Sequence, residues 1–162
     1  VFASLESMPF SVWARGDSLW GWPFILTVHT LGTAVVIGLI FIINLRLLGL
    51  FETIPYRSLN RLFPTLWIAF AVQFLSGLAL WVTKPTRYAA DSAFILKVLF
   101  VVAGVALTVY FQGKMKREAA SWEAAGAVSS GEVKFVAASF LAWCGVIVAA
   151  RLTAFLGPLY TG

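Results

Sequence analysis

Charge is scarce in this chain, and acidic charge is scarcest. Of 162 residues only 12% are charged, with seven Asp or Glu against twelve Lys or Arg. A soluble domain carries about twice that share. No acidic residue falls inside any long apolar stretch. That argues against a cation pump or a proton-coupled transporter, whose pathways need intramembrane carboxylates. The single cysteine, Cys144, excludes an internal disulfide and a cysteine-based metal cluster. The single histidine, His29, excludes two-histidine ligation of a b-type haem by this chain alone. A further ligand would have to come from Met, from a partner subunit or from a second copy. Glycine-rich phosphate loops, zinc spacings and a Ser-His-Asp set are also missing, so no catalytic set is visible and a non-enzymatic protein is expected.

What the chain does have is apolar length. It is 60% hydrophobic, with a mean hydropathy of +0.90. Four stretches, Trp20–Ile43, Leu62–Val82, Ala93–Phe111 and Phe135–Leu156, are each about 19 to 24 residues long. At roughly 1.5 Å per residue each crosses a hydrocarbon core of about 30 Å. The expected fold is an all-α membrane protein, an up-down bundle of four transmembrane helices with spans at about 20–48, 62–83, 92–112 and 135–156. Residues 1–18 mix apolar Phe2, Leu5, Phe10 and Trp13 with Glu6, Arg15 and Asp17, the pattern of a short interfacial helix preceding the 19–162 membrane domain. Lys114–Ala125 either belongs to a long loop or continues the third span as a polar helix. No secretory signal peptide is read, because the first apolar run is too long and no small-residue cleavage site follows it.

The formal charge of +5 does not point to nucleic acid, because the basic residues sit in short loops beside apolar segments. The loops on one side hold Arg46, Arg57, Arg61, Lys114, Lys116, Arg117 and Lys134, and those on the other hold Arg15, Lys84 and Arg87. Seven against three places the first set in the cytoplasm and both termini in the periplasm of a bacterial inner membrane. Trp13, Trp20, Trp22, Trp81 and Tyr160 then form an outer aromatic belt.

Polar side chains inside hydrocarbon are expensive, so they are the candidate functional residues. His29 lies about 13 Å below the outer end of the first span, and Gln73 lies at a similar depth in the second. Gly32 and Thr33 follow His29, and Ser76 and Gly77 follow Gln73, at the spacing that shares a helix face. His29 is therefore either interhelical glue hydrogen-bonded to Gln73 or a backbone carbonyl, or a cofactor ligand or proton relay. Lys97 and Arg151 sit below the outer rim of spans three and four. Either they snorkel to water, or they join His29 in a positive pocket with Asp91 as the nearest counter-ion. Such a pocket suits a haem propionate, a quinone carbonyl or a lipid head group. Asn44-Leu45-Arg46-Leu47-Leu48-Gly49 reads as a helix end with basic charge and a glycine cap. Gly38, Gly104 and Gly145 lie near mid-membrane and allow close helix approach. Cys144 reads as a small apolar residue.

Trp20-x-Trp22-Pro23, His29-Thr30-Leu31-Gly32, Gly38, Leu45-Arg46-Leu47-Leu48-Gly49, Lys84-Pro85-Thr86-Arg87-Tyr88, Phe94, Lys97 and Ala150-Arg151-Leu152 together resemble a family of small, largely uncharacterised bacterial four-helix inner-membrane proteins. The resemblance implies the same fold and marks His29, Arg46, Lys97 and Arg151 as characteristic polar positions. A looser likeness to cytochrome-b561-like and copper-resistance membrane domains implies a redox setting. Two functions follow as expectations. One is a non-catalytic accessory or structural subunit of a larger membrane complex, redox or photosynthetic, partnered by other subunits or by its own copies. The other is an electron-transfer subunit holding haem b or quinone, or a bound phospholipid, at His29, Gln73, Lys97 and Arg151. A small-solute transporter is a third reading, weakened by the lack of intramembrane carboxylates and broken helices.

Overall fold

The computed structural model describes residues 2–156. It is helical throughout: α1 (Phe2–Glu6), α2 (Pro9–Arg15), α3 (Trp22–Leu47), α4 (Tyr56–Leu59), α5 (Leu62–Thr83), α6 (Pro85–Ala90), α7 (Ser92–Ala125) and α8 (Ser130–Leu156). Helices α3, α5 (with α4 leading into it), α7 and α8 are long and apolar enough to cross a membrane. The expected four-helix membrane architecture is thus the one observed. Tyr160 and Gly157-Pro158, assigned above to the aromatic belt and the end of the last span, lie outside the described residues.

Local chemistry explains where the helices begin and end. Pro23 occupies the first turn of α3, where its missing N–H costs nothing. At the other end Gly49 takes φ +93°, and the Gly49 and Leu50 amides bond back to the Arg46 and Leu45 carbonyls at 3.1 and 3.0 Å. This is a Schellman closure at the glycine the sequence suggested. Asp91 caps α7, its Oδ1 accepting from the Ala93 and Phe94 amides at 2.8 and 3.2 Å. Asp91 is therefore committed to a helix end.

Two helices run beyond the expected apolar spans. The third takes the polar continuation that was one of the two alternatives for Lys114–Ala125 and stops at Gly126, which adopts φ +75°. At 34 residues it is about 51 Å long, so its last dozen residues extend past the hydrocarbon. The fourth begins at Ser130 rather than near 135, because Ser129 and Glu132 form a capping pair: the Ser129 hydroxyl lies 3.1 Å from Glu132 Oε2 and accepts the Glu132 amide at 3.4 Å. The N-terminal segment is two short helices rather than one. They rest on the ends of α5 and α6 through Ser11 to the Val82 carbonyl at 3.2 Å and the Thr86 amide to Glu6 at 3.2 Å.

The bundle is two helical hairpins, α3/α5 and α7/α8, joined along α3 and α8 and equally through α4 against α7. Define the upper end as that of the α3 N-terminus and the lower end as that of its C-terminus. The hydrophobic core lies in the lower half, where Ile40, Ile43, Leu47, Tyr56, Phe63, Phe111, Met115 and Trp122 are buried together. Three hydrogen bonds between the hairpins lie there too. Asn44 donates to Ser139 at 3.2 Å, Trp67 to Gln112 at 3.0 Å, and the Tyr56 amide to Glu123 at 3.0 Å. Above it, no α3 residue before Gly32 is buried, nor any α7 residue between Ala93 and Gly104. Among the described residues no hydrogen bond joins the hairpins above this level, and the upper turns of α3 and α7 are the less buried ones.

Within each hairpin the helices approach on paired glycines. A Cβ on Gly77 would stand 2.9 Å from the His29 ring, and one on Gly32 3.0 Å from Gln73. In the other hairpin, a Cβ on Gly104 would stand 2.7 Å from the Trp143 ring, and one on Gly145 2.8 Å from Phe100. Each helix thus offers a glycine to a large side chain of its partner. Gly38, expected to do the same, is exposed with open space around it. It carries no helix contact.

Candidate functional site

His29 and Gln73 meet in the upper half of α3 and α5. The His29 Nδ1 lies 3.1 Å from the Gln73 main-chain oxygen and 3.1 Å from the Ser76 hydroxyl. A carbonyl oxygen can only accept, so Nδ1 carries the proton. The neutral ring then has its lone pair on Nε2, which accepts from the Gln73 side-chain amide at 3.2 Å. That amide nitrogen also donates to the Thr33 hydroxyl at 2.7 Å, which in turn donates to the His29 carbonyl at 2.8 Å. Ser76 donates to the Val72 carbonyl at 2.7 Å and is free to accept from the ring. The four side chains close a network between two helices, and both ring nitrogens are engaged in it. Gly77 beneath the ring makes the approach possible.

Lys97, half-buried on α7, lies within electrostatic range of the neutral His29 ring. Its ammonium lies 5.0 Å from the centre of the Phe94 ring, a cation–π contact one turn up the same helix. Lys97 and Asp91 also interact through their charges, though no ion pair forms between them among the described residues. Arg151 stands apart. It is exposed, while Ala149 and Thr153, two residues away on either side, are buried. Two residues turn a helix by about 200°, so the guanidinium looks away from the packed face. Among the described residues its side chain has no hydrogen bond or ion pair. The structure thus brings together His29, Gln73 and, less closely, Lys97, and leaves Arg151 on the outside of α8. Near the upper rim, burial raises the Tyr88 phenol above its usual pKa, so it stays neutral.

Comparison of the chain with known protein families, with curated proteins and with solved structures finds no match.

The sequence reading missed one feature and understated another. The first is an open apolar groove of about 470 Å³ between α2, α3 and α5, lined by Phe10, Trp13, Trp20, Phe24 and the network residue Ser76. Trp13 and Trp20 belong to the aromatic belt of the sequence reading; that they wall a groove with Phe10 and Phe24 depends on where α2 docks. The second is Arg46. Read as charge at a helix end, it is 4% exposed and lies over the Tyr56 ring, 3.8 Å from its centre. Its nitrogens donate to the Ile54 carbonyl at 2.6 Å, the Tyr56 hydroxyl at 2.8 Å and the Glu52 carbonyl at 3.5 Å. A planar fork of donors suits this clamp, and a lysine would not reproduce it.

Proposed function

We propose that this chain is a non-catalytic accessory subunit of a larger bacterial inner-membrane assembly, with redox and photosynthetic complexes the first to examine. The observation that carries this reading is the division between a lower half tied across the hairpins and an upper half with no hydrogen bond between them among the described residues. The polar groups inside the bundle bond to one another, as glue between helices does. What faces outward in the upper half is apolar surface on α3 and α7 together with the outward guanidinium of Arg151. An arginine at membrane depth needs an anion, and a neighbouring subunit's carboxylate or a lipid phosphate would supply one. The proposed orientation has the lower end in the cytoplasm and both termini in the periplasm, from the seven-to-three basic bias. The partners are other membrane subunits or further copies of the chain.

The test is photo-crosslinking in cells from Leu31 and Leu99, both exposed in the upper halves of α3 and α7. Discrete adducts with another membrane protein or a second copy are expected. Adducts with lipid alone, from both positions, would defeat the proposal.

The groove favours a second reading. Its volume falls in the range of small-ligand sites, its aromatic walls suit a flat molecule, and Ser76 connects it to His29. A haem or quinone held there would make the chain an electron-transfer subunit, with His29, Gln73 and Lys97 beside the ligand and Arg151 meeting a charged substituent. For haem, His29 would have to release Gln73 to free Nε2. An absorption spectrum of the purified protein decides: a Soret band supports haem, and extraction of a stoichiometric quinone supports the other.

A further inference from the structure

We infer that the lower end of the bundle is a selective binding site for anionic phospholipid, built from a rigidly held apolar turn and a set of unpaired cations at head-group depth. The turn comes first. Immediately after α3, Leu50 and Phe51 are 49% and 52% exposed. Phe51 adopts φ +52°, the left-handed region that a bulky residue avoids, and follows Gly49 at φ +93°. Such a conformation persists only where the surroundings over-determine it. Here they do. On one side is the Schellman closure, with the Leu50 amide on the Leu45 carbonyl at 3.0 Å. On the other is Arg46, which grips the Glu52 and Ile54 carbonyls from beneath. The Tyr56 ring that Arg46 covers is itself held edge-on by Trp122 of α7, and the Tyr56 amide by Glu123. A buried clamp therefore displays two apolar side chains where a membrane span has just ended.

The charge lies at the same depth. Arg61 directly precedes α5, with Arg57 one turn before it. Lys116 and Arg117 follow the apolar stretch of α7, and Lys134 precedes that of α8. All five are exposed, and among the described residues none makes a hydrogen bond or ion pair through its side chain. Lys114 differs, paired with Glu118 at 2.9 Å and Glu132 at 2.6 Å. Glu118 and Glu132 pair with Lys114, and Glu123 accepts the Tyr56 amide; with the exposed Glu52 counted, seven cations face four carboxylates at this end, so the rim is positive. Two apolar side chains to enter the acyl boundary and cations to meet phosphate above it match an anionic lipid. A soluble acidic protein would have no use for the apolar pair at that depth. The inference concerns this end of the molecule whichever way it faces.

The experiment uses the full chain in nanodiscs of phosphatidylcholine with a graded fraction of phosphatidylglycerol. Retained lipid is read by native mass spectrometry after release into detergent. Enrichment of phosphatidylglycerol over its bulk fraction is expected. Neutralising cations as Arg57→Gln, Arg61→Gln, Lys116→Gln and Arg117→Gln should lower it by roughly fivefold per charge that contacts the lipid. The pair Leu50→Ser and Phe51→Ser should lower it with every cation in place. Thermal midpoints in detergent check that each variant folds. No enrichment in the parent, or enrichment unchanged in the folded four-charge variant, overturns the inference. Displacement of the lipid by inorganic phosphate as readily as by phosphatidylglycerol vesicles would show recognition of charge alone and overturn the role of the apolar turn. Enrichment lost only when a second protein is stripped away would assign the site to that protein instead.

Discussion

At the scale of single residues, the imidazole of His29 is fixed by a main-chain oxygen that can only accept. The neutral tautomer with its proton on Nδ1 is expected, and the ¹⁵N shifts of the two ring nitrogens report it directly. His29→Leu removes the acceptor for the Gln73 amide and should cost on the order of 1 kcal/mol, the usual worth of an interhelical hydrogen bond in a membrane. The glycines give a sharper contrast. Gly104→Ala would place a methyl 2.7 Å from the Trp143 ring, so it should destabilise by about 1–3 kcal/mol. Gly38→Ala points into open space and should not destabilise at all. Thermal unfolding of the two variants in detergent tests the pair; equal losses would contradict the packing described. The meeting of His29 with Gln73 was legible from equal depth and small-residue flanks. The separate roles of Gly38 and Gly104 were not, because spacing along one helix says nothing of what the other helix presents. Arg151 shows the same limit: its depth could be counted from the sequence, and its direction could not.

At the scale of elements, the polar end of α7 is a strut. Trp122 and Glu123 reach back to Tyr56 and steady the segment between α3 and α5. Trp122→Ala should therefore cost about 3–5 kcal/mol locally and loosen that segment. Limited trypsin digestion at Arg57 and Arg61 reads this, and faster cleavage in the variant is expected. Unchanged cleavage would mean that α4 is held by other contacts. Apolar runs made the four spans plain in the sequence. The strut was less plain, because its apolar face is only Met115, Ala119 and Trp122, set among charged residues. Its signal lay in the punctuation, Gly126 followed by Ser129 and Glu132, which together stop one helix and start the next.

At the scale of the whole molecule, the two ends differ in character. The lower half is tied between hairpins by Asn44–Ser139, Trp67–Gln112 and Tyr56–Glu123, and the upper half holds its polar bonds within hairpins. Amide exchange should accordingly be slower in the lower turns of α3 and α7 than in the upper turns. Equal protection along both helices would argue against this division. The proposed orientation has its own test. A cysteine at Ala125, in a Cys144→Ser background, should resist a membrane-impermeant maleimide in intact cells and react once they are opened. Labelling in intact cells would reverse the assignment.

The segregation of polar bonds has a consequence for biogenesis. His29, Thr33, Gln73 and Ser76 lie within 48 consecutive residues and answer only to one another. By the time α7 emerges from the ribosome, α3 and α5 already contain a partner for both ring nitrogens and for the Gln73 amide nitrogen, leaving only its Oε1 without one. The first hairpin can leave the translocon with its histidine already engaged. The bonds that wait, those of Asn44, Trp67 and Tyr56, are the ones at the end nearest water.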